Sequence, residues 1–339
     1  MKTVPIMPKK QENGVIRICK LASDNVAIPV VNAVLDVKPA GSVCVITKTN
    51  ETALSMVGLL HQNGVHARKI QSSNGFYLCD LAELRDFITD VSANEDSYVI
   101  TDENWQNAKY NLNHKYEASR DLPGALRLIQ DFEETNKAKY KSDFKQFVYE
   151  SKLEDFTSAS ENTVLVSTIH QTKGREFDNV FLALGQISGL NDVVKRELYV
   201  AVTRAKKNLY IVYHGNYFEY IHAENLQRTS DDTNYPLPAQ ISFQLSHRDV
   251  KLGYFAHWRQ EIDSLISGRE LSVRDTGCFV GSKEILKFSS AFCDQIDALH
   301  AKGYAPAKAT VRHVLFWKGK DSAEELKIFL PDVEMEKIR

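Results

Sequence analysis

Three short blocks of this 339-residue sequence bring together groups that can act on phosphate. The first is Thr168-Ile-His170-Gln-Thr-Lys173-Gly174-Arg-Glu176, set between the apolar runs 163–167 and 179–184. Functional groups of open α/β sheets gather where strands end. Thr168 and His170 can donate hydrogen bonds to phosphate, Gly174 permits close backbone approach, and Glu176 can accept from a ribose hydroxyl. Taken alone, the block is equally a polar loop with a surface histidine. The second block spans Lys195 to Val212, where Leu198, Val202 and Ala205 share a helix face and Arg204 stands near its end. Taken alone, Arg204 reads more readily as a solvated helix-end charge favoured by the macrodipole. The third is Val43-Cys-Val-Ile-Thr47-Lys48-Thr49-Asn50, an apolar run that ends in polar groups.

The elements that must position these residues follow from periodicity. Residues 15–20 alternate like a strand, Ser23 is placed to cap a helix carrying Ile28, Val31, Val34 and Leu35, and 41–46 reads as a buried strand. A helix over 51–62 ends at Gly64, and 65–70 reads as a further strand. This strand–helix–strand rhythm predicts an α/β fold. Residues 81–155 change to charged amphipathic segments (81–91, 123–136, 138–150) that predict a helical insertion. The sheet resumes at 163–167, 179–184 and 208–213, with a helix over 193–204. Residues 228–240 are polar and proline-bearing, as a linker is. Beyond them, Ser246 and Asp249 form a capping box for a helix reaching about Ser267. A small α+β module follows, with strands at 272–280, 284–288, 309–317 and 325–330 and a helix at 290–302. In that module Arg312, His313, Phe316, Trp317, Lys318 and Lys320 interleave basic and aromatic groups, a stripe suited either to nucleic acid or to one core face with a solvated back.

Composition narrows the function. No apolar run approaches the ~20 residues of a membrane span, and Met1–Lys10 lacks the apolar centre of a signal peptide. The five scattered cysteines have no metal-ligand spacing and fit buried thiols of a cytoplasmic protein. A net charge of −2 gives no global field for nucleic acid, so any such contact is local.

Taken together, Ser-Thr-Ile-His-x-x-Lys-Gly-x-Glu-Phe-x-x-Val-Phe followed by Glu-Leu-Tyr-Val-Ala-Val-Thr-Arg-Ala-Lys resembles motifs V and VI of UvrD/Rep-type superfamily 1 DNA helicases. Residues 43–50 fall where that family's motif IV belongs, and the likeness covers roughly residues 15–215. It implies a RecA-like parallel sheet flanked by helices, the second motor domain, formed by 1–80 and 156–227. The helical insertion is then 81–155, the linker 228–240 and the α+β accessory module 241–339. The resemblance implies that Arg204 is the arginine finger on the γ-phosphate of ATP, with Lys48 beside it. It also implies that Lys173, Gly174, Glu176 and Thr47 face the nucleotide, and that Thr168 and His170 touch single-stranded DNA. ATP and Mg2+ would be held mainly by a P-loop motor domain of the same full-length protein, with no cofactor bound tightly by this chain and no metal site. A protein partner could dock on 241–339. Thr47 and Lys48 replace the family's tyrosine and arginine, Val193 and Val194 replace an acidic pair before motif VI, and the insertion is short.

The sequence contains no Gly-x-x-x-x-Gly-Lys-[Ser/Thr] loop to cradle ATP phosphates. Asp102-Glu103 follows an apolar run but lies inside the insertion. The chain is therefore expected to be the C-terminal half of an ATP-dependent helicase. The alternatives are a non-catalytic helicase-derived DNA-binding or recruitment protein, or the helicase-like subunit of a repair nuclease. Purified alone, it should hydrolyse ATP negligibly with or without single-stranded DNA. Steady-state turnover that a point variant of this chain abolishes would refute that expectation.

Overall fold

The computed structural model describes residues 14–70, 76–93, 97–151, 163–185, 187, 189, 191–223, 225–319 and 324–338. The chain divides into two compact units, residues 1–71 with 160–239 and residues 72–159 with 240–339. Its order begins β1 (Val15–Leu21), α1 (Ala27–Val37), β2 (Val43–Thr47), α2 (Asn50–Gln62) and β3 (Ala67–Lys69). Four helices of the second unit come next: α3 (Ala82–Ser92), α4 (Asp102–Tyr116), α5 (Leu122–Thr135) and α6 (Lys141–Glu150). The first unit then resumes with β4 (Val164–Thr168), β5 (Phe177–Leu184), α7 (Asp192–Val202), β6 (Ala205–His214) and β7 (Leu226–Asp231).

In the first unit seven strands run in the order β3-β4-β2-β5-β6-β1-β7, with every pairing parallel. This is the α/β, RecA-like sheet that the motifs implied. β2 is wholly buried because its two faces serve two cores. Val43 and Val45 pack with α1 and α2 through Val30, Val34, Met56 and Leu60, while Cys44 and Ile46 pack with α7 through Leu198 and Ala201. Burial pushes the Cys44 thiol up, so it stays protonated and inert.

Two local expectations fail here. Ser23 does not cap α1, which starts from Val26 with no side-chain cap. Pro29 in the first turn needs no amide partner, so the helix can begin later without one. The linker is also shorter than its composition suggests, because 228–231 belong to β7, an edge strand whose polar residues pair with β1. An edge strand tolerates that polarity.

The second unit adds β8 (Gln240–Gln244), α8 (Arg259–Asp263), β9 (Glu270–Arg274), β10 (Gly277–Val280) and β11 (Lys283–Lys287) to the four helices. It is completed by α9 (Ser290–His300), β12 (Tyr304–Lys318) and β13 (Glu325–Lys337). These strands make an antiparallel sheet ordered β11-β10-β9-β12-β13-β8. The helix expected from Ser246 to Ser267 is not continuous. Ser246 does bond Asp249 through both its amide and its hydroxyl (2.8 and 2.7 Å), but a 3-10 stretch at Leu252–Trp258 follows and α8 is only five residues long. Gly253 weakens the helix at that point. α4, β8 and the length of β12 and β13 escaped the sequence reading. Asp102 and Glu103 are the acidic first turn of α4, capped by Thr101, where the helix dipole favours them. The part of the insertion beyond residue 151, and Lys320, lie outside the described residues.

The sequence reading set the insertion apart from the C-terminal module, whereas here they share one unit. Leu81 bridges Leu315, Arg85 grips Glu325 at 2.7 Å, and His313 Nδ1 lies 2.9 Å from Asp121 Oδ2. The helices have their own aromatic centre, where Phe87, Trp105, Phe132 and Phe144 meet at 5.0–5.9 Å between centroids. Of the basic and aromatic stripe, Arg312 and His313 therefore take the core-face reading: Arg312 pairs with Asp332 at 3.0 Å and His313 is buried against Asp121. Glu83 is fully buried nearby, accepting from Ser119 Oγ at 2.6 Å with its Oε2 unpartnered. Among the described residues no helix is long and apolar enough to cross a membrane, and no cluster of His, Cys, Asp or Glu could hold a metal.

Two outcomes follow for the second unit. A cut at about residue 238, within the linker expected from composition, should strand α3–α6 without their sheet and give aggregation or a broad melt. A sharp cooperative melt by circular dichroism would disprove this shared core. Burial, reinforced by the Asp121 charge, holds the Glu83 carboxyl at about 7. The folded state then keeps a proton that the unfolded chain releases near pH 4.5. Stability should fall as pH rises between those values, by about 3 kcal/mol in all at ~1.4 kcal/mol per pH unit. Glu83→Gln should flatten this dependence and raise the melting temperature at pH 8, and an unchanged pH profile would discount Glu83.

Candidate functional site

Parallel pairing sets the site's geometry. Thr47 at the end of β2 lies beside Thr168 at the end of β4, and on its other side beside Ala183 of β5. The turn after β2 and the loop after β4 therefore emerge together at the carboxyl edge of the sheet. Thr47 is buried and its hydroxyl donates to the Thr49 carbonyl at 2.8 Å. Thr49 in turn caps α2, accepting from the Thr52 amide at 3.2 Å. Thr47 thus shapes the turn, and the exposed group it delivers is Lys48, which makes no hydrogen bond or ion pair among the described residues. Thr168 is nearly buried, while His170 in the following 3-10 turn is exposed with its Nε2 3.5 Å from Glu197 Oε1 on α7.

From His170 the chain must return to the amino edge to begin β5. Thr172 stabilises the turn through its hydroxyl on the Ile169 carbonyl at 2.7 Å, and Gly174 reverses the backbone with φ +83°. Lys173 and Glu176 on this return are exposed. A side chain at Gly174 would meet no atom but would strain that backbone.

At the amino edge Phe177 pairs with Ala205, and the Phe177 amide donates to the Arg204 carbonyl at 2.8 Å. Arg204 follows α7, whose start is capped by Asn191. Its half-buried guanidinium donates to the Val200 carbonyl from Nε (2.9 Å), to the Arg175 carbonyl from Nη1 (2.9 Å) and to Thr203 Oγ1 from Nη2 (3.1 Å). The first bond satisfies an orphan carbonyl of the helix end. The second staples that end to the loop bearing Glu176.

The residues singled out from sequence thus fall into two groups. Lys48, Thr168 and His170 gather at the carboxyl edge, with Thr47 beneath them. Arg204 and Glu176 gather at the amino edge, and Lys173-Gly174 lies on the loop between. From Ala183, level with Thr47, to Phe177, beside Arg204, is six residues of β5, or roughly 20 Å at ~3.3 Å per residue. Lys48 and Arg204 thus stand at opposite edges of the sheet in this unit, whereas the resemblance implied that both reach toward the γ-phosphate. Glu197, Arg175 and Thr203 were missed. Each lies within or beside a recognised block, but their roles are backbone or pairwise contacts that no residue pattern reveals.

This parallel sheet with its flanking helices is a RecA-like fold. Residues 92–216 match the UvrD-like helicase C-terminal domain family, a span that includes the whole return loop, α7 and Arg204. The chain carries a UvrD-like helicase C-terminal domain of the UvrD/Rep superfamily 1 type. It is also 37% identical over 93 residues to the uncharacterized protein MJ1519 of Methanocaldococcus jannaschii. That alignment takes in 26% of this chain, and the chain spans 8% of that relative's length.

Proposed function

We propose that this chain supplies the second motor half of an ATP-dependent DNA helicase, with its two functions divided between the edges of one sheet. The amino edge, with Arg204 and Glu176, faces nucleotide bound by a P-loop domain of the full-length protein. The carboxyl edge, with Lys48, Thr168 and His170, holds the phosphates of single-stranded DNA. The observation that carries this reading is the loop of residues 169–176, which begins at one edge with His170 and ends at the other with the Arg204 staple.

The residues present fit a share of ATP rather than all of it. An exposed carboxylate, an exposed ammonium and one guanidinium suit the ribose and the terminal phosphate, and no acidic cluster is available for Mg2+ among the described residues. Phosphoryl transfer depends on positioning and charge stabilisation, to which an arginine finger can add ~10³–10⁵ in rate. To serve so, Arg204 must release Thr203 Oγ1 and the Val200 carbonyl and turn outward. That release loosens the contact with the Arg175 carbonyl, so events at the amino edge reach His170 through the four loop residues between Arg175 and His170. Such coupling is what a motor needs if nucleotide state is to alter its grip on a strand.

The competing reading is a non-catalytic protein in which Arg204 is only a staple, and its three internal hydrogen bonds favour that reading. A reconstituted full-length protein separates the two. Arg204→Ala should cut the maximal hydrolysis rate by ~10³ or more with strand binding changed only a few-fold. Near-normal turnover with a lowered melting temperature would assign Arg204 to structure alone. Lys48→Ala should weaken strand binding and reduce the salt dependence by about one phosphate contact, while hydrolysis at saturating DNA stays near normal. Loss of turnover with strand binding intact would place Lys48 with the nucleotide instead.

A further inference from the structure

Between the segment leading into α3 and the β12–β13 hairpin, the second unit has a pocket of about 250 Å³. Phe76, Tyr77, Phe316 and Trp317 line it. Tyr77 also stacks on Tyr149 at the end of α6, with ring centroids 4.4 Å apart, planes inclined by 24° and both rings about half exposed. Exposed stacked aromatics are costly unless something covers them. The volume lies below the ~300–1,000 Å³ of drug-sized sites, so it suits one planar ring.

Charge narrows the choice of ring. Both carboxylates at the pocket are already engaged: Asp80 accepts from the Tyr77 amide at 2.7 Å, and both oxygens of Glu325 accept from Arg85 Nη2 at 2.7 Å. Arg85 also lies over the Phe316 ring at 5.7 Å, which stiffens that wall. Among the described residues, Lys318 is exposed at the rim and makes no hydrogen bond or ion pair. An aromatic slot with an uncommitted ammonium at its mouth suits a ring that carries an anion.

We propose that this pocket stacks one base of a single-stranded nucleic acid, with Lys318 on the adjoining phosphate. Among the described residues the charge left uncommitted at the pocket is that of Lys318, and four of the lining residues offer flat π-surfaces, which every base can use. Of the sequence stripe that runs from Arg312 to Lys320, the base site keeps Phe316, Trp317 and Lys318, since Arg312 and His313 are engaged in ion pairs and Lys320 lies outside the described residues.

The test uses the full chain with Lys48→Ala and His170→Ala, so that the sheet edge contributes least. Anisotropy compares a labelled short thymidine oligonucleotide with an abasic strand of the same length. The thymidine strand should bind at least about fivefold more tightly, and Trp317→Ala or Tyr149→Ala should abolish that preference. Trp317→Phe and Tyr149→Phe should retain it with unchanged melting, which excludes misfolding as the cause. Lys318→Gln should weaken both strands and lower the salt slope by about one. Equal binding of the two strands by the parent chain, or a preference that survives Trp317→Ala, would overturn the proposal. If an acidic phenylalanine peptide binds in a Trp317-dependent way and the oligonucleotide does not, the occupant is a protein and the proposal fails. Lys48 and His170 are already removed from the background in which every variant is compared, so failure here does not bear on the sheet-edge reading, which keeps its own test.

Discussion

Thr47 and Thr168 lie side by side because β2 and β4 pair in parallel, and the rest of the first unit is arranged under that constraint. A strand in a parallel sheet cannot turn straight back, so each connection must travel the full depth of the sheet before the next strand starts. Usually a helix makes that journey. Between β4 and β5 it is made by eight residues with one 3-10 turn and a left-handed glycine. So short a return has no slack, and its two ends are held in a fixed relation across the sheet. The price is a central strand that must be apolar on both faces, met by Val43 and Val45 on one side and Cys44 and Ile46 on the other.

The second unit is built on different physics. An antiparallel sheet and four helices share a boundary that includes buried polar groups: Asp121 faces His313 of β12, and Glu83 accepts from Ser119 beside them. Breaking such pairs leaves uncompensated charge in a poor solvent, which makes the contact specific rather than strong. Apolar packing alone, as in the cluster around Trp105, would join the layers without fixing their register.

How much of this was legible in the sequence follows from the range of each interaction. Val43–Thr47 and 179–184 were readable because a buried parallel strand is an unbroken apolar run. The motif blocks were readable because their chemistry is written in side-chain types at fixed spacing. β7 was not, since an edge strand can be as polar as a linker, and Arg228–Asp231 looks like one. The helix after Ser246 was overextended because its capping box is real while the turns beyond it are 3-10. The partnership of α3–α6 with the distant sheet was invisible, as it rests on contacts such as Leu81 with Leu315, more than two hundred residues apart. Within the site, residue types pointed to the right loops, but the placement of Lys48 and Arg204 at opposite edges depends on strand direction, which only the fold supplies.

The chain alternates between its units, with residues 1–71 and 160–239 in one and 72–159 and 240–339 in the other. Neither unit is a contiguous stretch of polypeptide. On the ribosome, β1 must wait for β6 and β7, and α3 for β12, because each pairs with a segment made nearly two hundred residues or more later. At ~5–20 residues per second that delay lasts on the order of ten seconds or longer, with β2's apolar faces only partly covered. A nascent chain of this design is therefore a natural client for chaperones, and its yield in a cell should respond to translation speed more than its finished stability would suggest.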